Sequence, residues 1–161
     1  MRPDRAVMGT AENIPPPPSR GEIAIRFATG EFEVRKALAI LMGKLAKHRL
    51  SADTMGQVEI VVAEVLNNIA EHGYDGAGDV SLGVRVLSDR LRFTTVDAGR
   101  DLPQHLLSTG EMPEIPDNPL DIPEGGFGWA MIRELTDGLC YRRLDGRNHL
   151  TFCIPRVESV E

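Results

Sequence analysis

Glu64, Asn67, Asn68 and His72 fall three or four residues apart within Glu64-Val-Leu-Asn-Asn-Ile-Ala-Glu-His-Gly-Tyr74. Residues at that spacing are neighbours on a helix, so a carboxylate, two carboxamides and an imidazole line one stripe. A positioned carboxylate can accept a proton from a hydroxyl or water, and a carboxamide oxygen is a neutral, hard ligand for a cation such as Mg²⁺. Polar stripes usually face water. Two adjacent asparagines deep in a helix are poor helix formers, however, and need a reason to be there.

Two glycine-bearing segments follow. Asp97-Ala-Gly99-Arg-Asp-Leu-Pro103 places an acceptor-only side chain two residues before a glycine that permits close backbone approach. Gly126-Phe-Gly128 precedes Trp129, Ala130, Met131, Ile132 and Leu135, so its N–H groups stand at a helix start, where the helix dipole favours an anion. Alone, the first is a common turn and the second a common cap. Their order along the chain carries more weight.

The remaining sequence supplies the elements that must position these groups. Glu22 to Phe27 alternates like a strand, and Phe32, Val34, Ala37, Leu38, Leu41, Met42 and Leu45 mark a helix. Its outer face is basic: Arg35, Lys36, Lys44, Lys47 and Arg49. Ser51 or Asp53 can cap the next helix, on which Val58, Val61, Val62, Val65, Leu66 and Ile69 are apolar. Strands are predicted over residues 80–87 and 91–96, then over 139–144 and 149–154 with a turn at Asp145-Gly146. The order β-α-α-β-β-loop-α-β-β predicts an α+β fold: a two-layer α/β sandwich whose mixed, mostly antiparallel sheet is covered on one face by helices.

With 161 residues and a formal charge of −6, the chain is expected to form one domain over residues 21–156. A proline-rich arm precedes it at 1–20 and a short tail follows at 157–161. The acidic balance gives no sign of a nucleic-acid surface, and no apolar run reaches membrane-spanning length. Cys140 and Cys153 lack metal-ligand spacing and are expected to be free thiols. The expectation is a soluble, cytoplasmic protein.

Taken in order, the three segments resemble the boxes of the GHKL (Bergerat-fold) ATPase superfamily, and within it the small RsbW/SpoIIAB-like anti-sigma factor serine kinases. The resemblance runs from about Glu22 to Ile154, with Glu64, Asn68 and His72 matching the N box. It implies ATP and Mg²⁺ as cofactors, Glu64 as the catalytic base and Asn68 as the Mg²⁺ ligand. Asn67 would be a supporting or phosphate contact, and His72 a hydrogen-bonding group at the helix end. Asp97 would accept from the adenine amine, with Thr94 or Thr95 in support; Gly99 would let the backbone approach the base or ribose, and Arg100 would contact the nucleotide. Gly126, Phe127, Gly128 and Trp129 would approach the phosphates. The implied partners are a sigma factor, a STAS-domain anti-anti-sigma protein and a second copy of the chain.

Two departures stand out. Asp101 occupies the place of the family's second glycine in the first glycine box. The expected lid, about 102–125, contains Glu111, Glu114, Asp117, Asp121 and Glu124 but no Lys or Arg. A carboxylate facing phosphate is repulsive without a cation, which Arg100, Arg133 or a partner would have to supply. A weakly catalytic or non-catalytic adaptor that binds proteins is therefore the alternative reading.

Overall fold

The apolar periodicities of the sequence become one antiparallel sheet with helices packed on a single face. The computed structural model describes residues 22–73, 78–102 and 126–157. Its elements are β1 (Ile23–Ala28), α1 (Glu31–Leu45), α2 (Ala52–Gly73), β2 (Asp79–Val86), β3 (Arg90–Asp97), α3 (Gly126–Leu135), β4 (Asp137–Leu144) and β5 (Arg147–Pro155). The predicted element order is therefore present throughout.

The strands lie in the order β1-β2-β3-β5-β4, and every described pairing is antiparallel. The mostly antiparallel sheet that the sequence predicts is thus present, with no parallel pair among the described strands. The reason is the crossover: two helices, not one, separate β1 from β2. The second helix returns the chain to the end where β1 stopped, and there Thr29 N donates to Gly78 O at 2.7 Å. A single-helix connection, β3-α3-β4, does bring β4 back in the direction of β3, but β5 lies between them.

Strand alternation gives the sheet its two faces. Ile23, Ile25, Val80, Leu82, Val84, Leu91, Phe93, Leu150, Phe152 and Ile154 point inward and are buried. Opposite them α1 contributes Val34, Ala37, Leu41 and Leu45, while α2 contributes Val58, Val61, Val62, Val65, Leu66 and Ile69. Burying each such Val, Leu or Ile is worth about 1.5–3 kcal/mol. Phe93 and Phe152 are cross-strand partners, stacked with ring centroids 5.1 Å apart.

Local signals set the boundaries. Ser51 caps α2, its Oγ accepting from Thr54 N at 3.1 Å, which decides between the two expected caps. Asp145 and Gly146 have φ of 51° and 74°, the paired positive values of a two-residue hairpin turn. Helix α3 begins at Gly126 and stops at Leu135, where Thr136 Oγ1 donates to Ile132 O at 2.6 Å. Both cysteines are free: Cys140 stands opposite Thr151 and Cys153 opposite Asp137. No described helix is long and apolar enough to cross a membrane.

Candidate functional site

Helix α2 turns Val65, Leu66 and Ile69 into the core, which fixes the direction of its polar stripe. Glu64 is half-buried, and Asn68 is only 5 % exposed. Against them packs the first turn of α3. A methyl group placed on Gly128 would lie 2.6 Å from Glu64 Oε2 and 3.6 Å from Asn68 Nδ2. The second glycine segment therefore meets the Glu64 carboxylate and the Asn68 carboxamide directly, through a position without a side chain. Asn68 Nδ2 is buried and has no hydrogen-bond partner among the described residues.

The C-terminal end of the same helix holds the first glycine segment. Gly73 O accepts from Arg100 N at 2.8 Å. A Cβ on Gly99 would fall 2.7 Å from that carbonyl oxygen, so only glycine permits this approach. Asp97, at the end of β3, is 4 % exposed. Its Oδ1 accepts from Gly99 N at 2.9 Å, a local side-chain turn of the kind aspartate favours. The same oxygen accepts from Asn148 Nδ2 at 3.0 Å, whereas Oδ2 has no partner among the described residues.

Asn148 belongs to a group that sequence reasoning missed. Its Nδ2 also donates to Arg100 O at 2.7 Å. Its Oδ1 lies 2.6 Å from the Tyr141 hydroxyl and accepts from Arg143 NH1 at 2.8 Å. Arg143 NH1 further donates to Gly99 O at 2.7 Å, and Leu102 N donates to the Tyr141 hydroxyl at 3.1 Å. That hydroxyl also contacts Asp101, the residue in the place of the family's second glycine. Burial, and then the hydrogen bond to Asp101, push the Tyr141 phenol up to about 12. The only sequence signal for this cluster was its position beside the Asp145-Gly146 turn, where β5 starts opposite the end of β3.

The other expected site residues divide. Asn67 is exposed on a different side of α2 from Asn68 and lines a cleft between α1 and α2 of about 440 Å³, with Thr29, Arg35, Ala63 and Glu71. The neighbouring asparagines are thus separated, because successive helical residues point about 100° apart. Trp129 is 3 % exposed and packs in the hydrophobic core, so its ring holds α3 in place. Thr95 shares the inward face with Asp97, and its Oγ1 is buried without a partner among the described residues; Thr94 lies on the opposite face. Arg100 is exposed, and Arg133 is half-buried, its Nε likewise without a partner among the described residues. Gly126 and Phe127 open α3, and His72 lies in the last turn of α2. The side chains of Phe127 and His72, and the expected lid from 103 to 125, lie outside the described residues.

These groups fit a purine nucleotide with its phosphates. Asp97 presents an acceptor oxygen and Asn68 a buried amide nitrogen, each without a partner among the described residues, and Gly128 brings the α3 backbone close to Glu64 and Asn68. The Asn68 amide can offer either its oxygen to a cation or its N–H to a phosphate, depending on a half-turn about its last bond.

The family profile described as "Histidine kinase-like ATPase domain" matches residues 28–154, and the chain belongs to that family. It is 32% identical over 100 residues to a serine-protein kinase RsbW from Bacillus licheniformis, covering 60% of this chain and 62% of that protein. A second serine-protein kinase RsbW, from Halalkalibacterium halodurans, is 29% identical over 86 residues, or 53% of each chain. The match thus spans less than two thirds of either relative. Among solved structures, that of the RsbU and RsbW domains of Rv1364c from Mycobacterium tuberculosis aligns with a TM-score of 0.62 and 15% identity. It covers 87% of this chain and 34% of that one, and it supports the fold.

Two outcomes follow from this geometry. Gly99→Ala drives a Cβ into the Gly73 backbone and should lower the melting temperature by several degrees. Gly128→Ala meets only the movable end of Glu64 and should retain the wild-type melting temperature within about 2 °C while disturbing the site. Thermal unfolding followed by circular dichroism distinguishes them. For Tyr141 the raised pKa means that folding favours the protonated phenol. Its contribution to stability is complete below the ordinary value of 10.0 and is lost as pH rises through about 12. Absorbance at 295 nm should show a tyrosine titrating near pH 12 that is missing in Tyr141→Phe; a wild-type titration confined to pH 10 would contradict the buried hydrogen bond.

Proposed function

We propose that this chain is a serine-protein kinase that works by partner switching, binding Mg-ATP and phosphorylating a serine of a STAS-domain protein while competing for a sigma factor. The observation that carries the reading is the packing of Gly128 against Glu64 and Asn68. It joins a base, an amide and a helix N-terminus at one point, as transfer of a phosphoryl group requires. Similarity to two proteins named serine-protein kinase RsbW supports the choice of substrate class.

In this reading Asp97 Oδ2 accepts from the adenine amine, which selects against guanine because guanine carries an acceptor carbonyl at that ring position. The N–H groups at the start of α3 face the phosphates. Asn68 would hold Mg²⁺ through its carbonyl oxygen, and the ion would supply charge compensation to the phosphate oxygens. Glu64 takes the proton of the attacking serine hydroxyl. The serine oxygen bonds to the γ-phosphorus, the bond from that phosphorus to the β–γ bridging oxygen breaks, and ADP leaves. Residues 103–125 carry no Lys or Arg, so a cation from elsewhere on the chain or from the partner completes the charge balance. The sigma factor and the STAS protein bind a cytoplasmic homodimer of the chain.

That same absence of basic residues favours the second reading, an adaptor that binds partners with little or no transfer. Incubation with Mg-[γ-³²P]ATP and a candidate STAS protein separates the two. The kinase reading expects labelled STAS protein with wild type, reduced by about 10²-fold or more in Glu64→Ala and Asn68→Ala. Tight STAS binding without label, from a folded protein whose melting temperature ATP does raise, establishes the adaptor. No ATP-dependent shift at millimolar nucleotide removes nucleotide binding altogether, since any ligand bound only by the native state must raise stability.

A further inference from the structure

We infer that Asn148 is a positioning residue that sets the base selectivity of the nucleotide site by locking Asp97 with Oδ2 outward. The inference rests on the ATP-site reading above and adds to it the group that makes Asp97 selective.

Asn148 opens the inward face of β5 directly opposite Asp97 and is 1 % exposed. Its amide orientation is determined by its surroundings. Around Nδ2 lie only acceptors: Asp97 Oδ1 at 3.0 Å, Arg100 O at 2.7 Å and Gly99 O at 3.4 Å. Around Oδ1 lie the Arg143 guanidinium at 2.8 Å and the Tyr141 hydroxyl at 2.6 Å. Turning the amide over would set a carbonyl oxygen against three acceptors and an NH₂ against a guanidinium. Asn148 is therefore held as a donor toward Asp97.

The consequence falls on the aspartate. Its carboxylate would otherwise rotate and present either oxygen, or neither, to a base. Two donors on one oxygen, Gly99 N and Asn148 Nδ2, fix the rotation and leave Oδ2 as the available acceptor. An adenine amine then meets a group whose orientation has already been set, and that cost is not charged against binding. Asn148 also ties the Gly99 and Arg100 carbonyls to the same amide, so the loop bordering the base moves with the aspartate. None of this acts on the phosphates. Loss of Asn148 should weaken recognition of the amine and leave the remaining contacts.

The test compares ATP with purine riboside triphosphate, which lacks only the exocyclic amine, by calorimetric titration with Mg²⁺ present. Wild type should prefer ATP by about tenfold or more, the range of one hydrogen bond to a charged group. In Asn148→Leu the ATP affinity should fall about tenfold with that for purine riboside triphosphate held within about twofold, so the ratio approaches one. Asn148→Ala, which only removes atoms, gives the same readout should the leucine variant not fold. A general loosening of the structure would weaken both nucleotides together and leave the ratio intact. A variant that keeps the wild-type ratio overturns the role of Asn148 alone. Wild type that binds both nucleotides equally overturns the reading of Asp97, and this inference with it.

Discussion

An asparagine buried at 5 % exposure, whose Nδ2 has no hydrogen-bond partner among the described residues, is a constraint that the surrounding structure has to tolerate. Such a group costs about 1–3 kcal/mol while unpaired. Asn68 bears that cost in the C-terminal third of α2, the longest described helix and the one that supplies six buried apolar residues to the core. The helix cannot turn to expose the amide without withdrawing Val65, Leu66 and Ile69. The first turn of α3 closes over the same place, with glycine where any side chain would strike Glu64. Core packing thus holds an unsatisfied polar group against a helix N-terminus, the arrangement of a site organised in advance of its ligand.

The far end of the site is organised in the opposite manner. Around Asp97 almost every polar atom is paired: Gly99, Asn148, Tyr141, Arg143 and Asp101 form one continuous network. This places a fixed acceptor at one end of the candidate site and, at the other, an amide nitrogen without a partner among the described residues, with α2 running between them. Gly73 connects the ends, because its carbonyl oxygen accepts from Arg100 while the preceding turns of the helix carry Asn68 and Glu64. Asp101 takes part through Tyr141, so the residue that departs from the family's glycine pattern is absorbed into the network that supports Asp97.

Much of this was legible in the sequence because the signals were local. Apolar spacing of 3.6 or 2 identified every element, and Asp145-Gly146 named its turn. The Glu64–Asn68 stripe, Asp97-X-Gly99 and Gly126-X-Gly128 are the segments that the fold brings together. What was not legible depends on register and on helix rotation. Asn148 becomes visible only when β5 is aligned against β3, 51 residues away from Asp97 along the chain. Asn67 looked equivalent to Asn68 by composition, yet one helical step carries it to the α1 cleft. Trp129, next to a glycine box, reads as a ligand contact until the core is seen to contain it. The antiparallel sheet required knowing that α1 and α2 act as a pair.

In the proposed reading, segments far apart in sequence, the end of α2, Gly99 to Leu102 and the start of α3, enclose one nucleotide. Amide hydrogen exchange read by mass spectrometry, with and without Mg-ATP, addresses it without substitutions. Nucleotide should slow exchange in those three segments together, with Thr29 to Leu38 beside the α1–α2 cleft unchanged. Protection centred on that cleft, with α3 and the Asp97 loop unaffected, would contradict it.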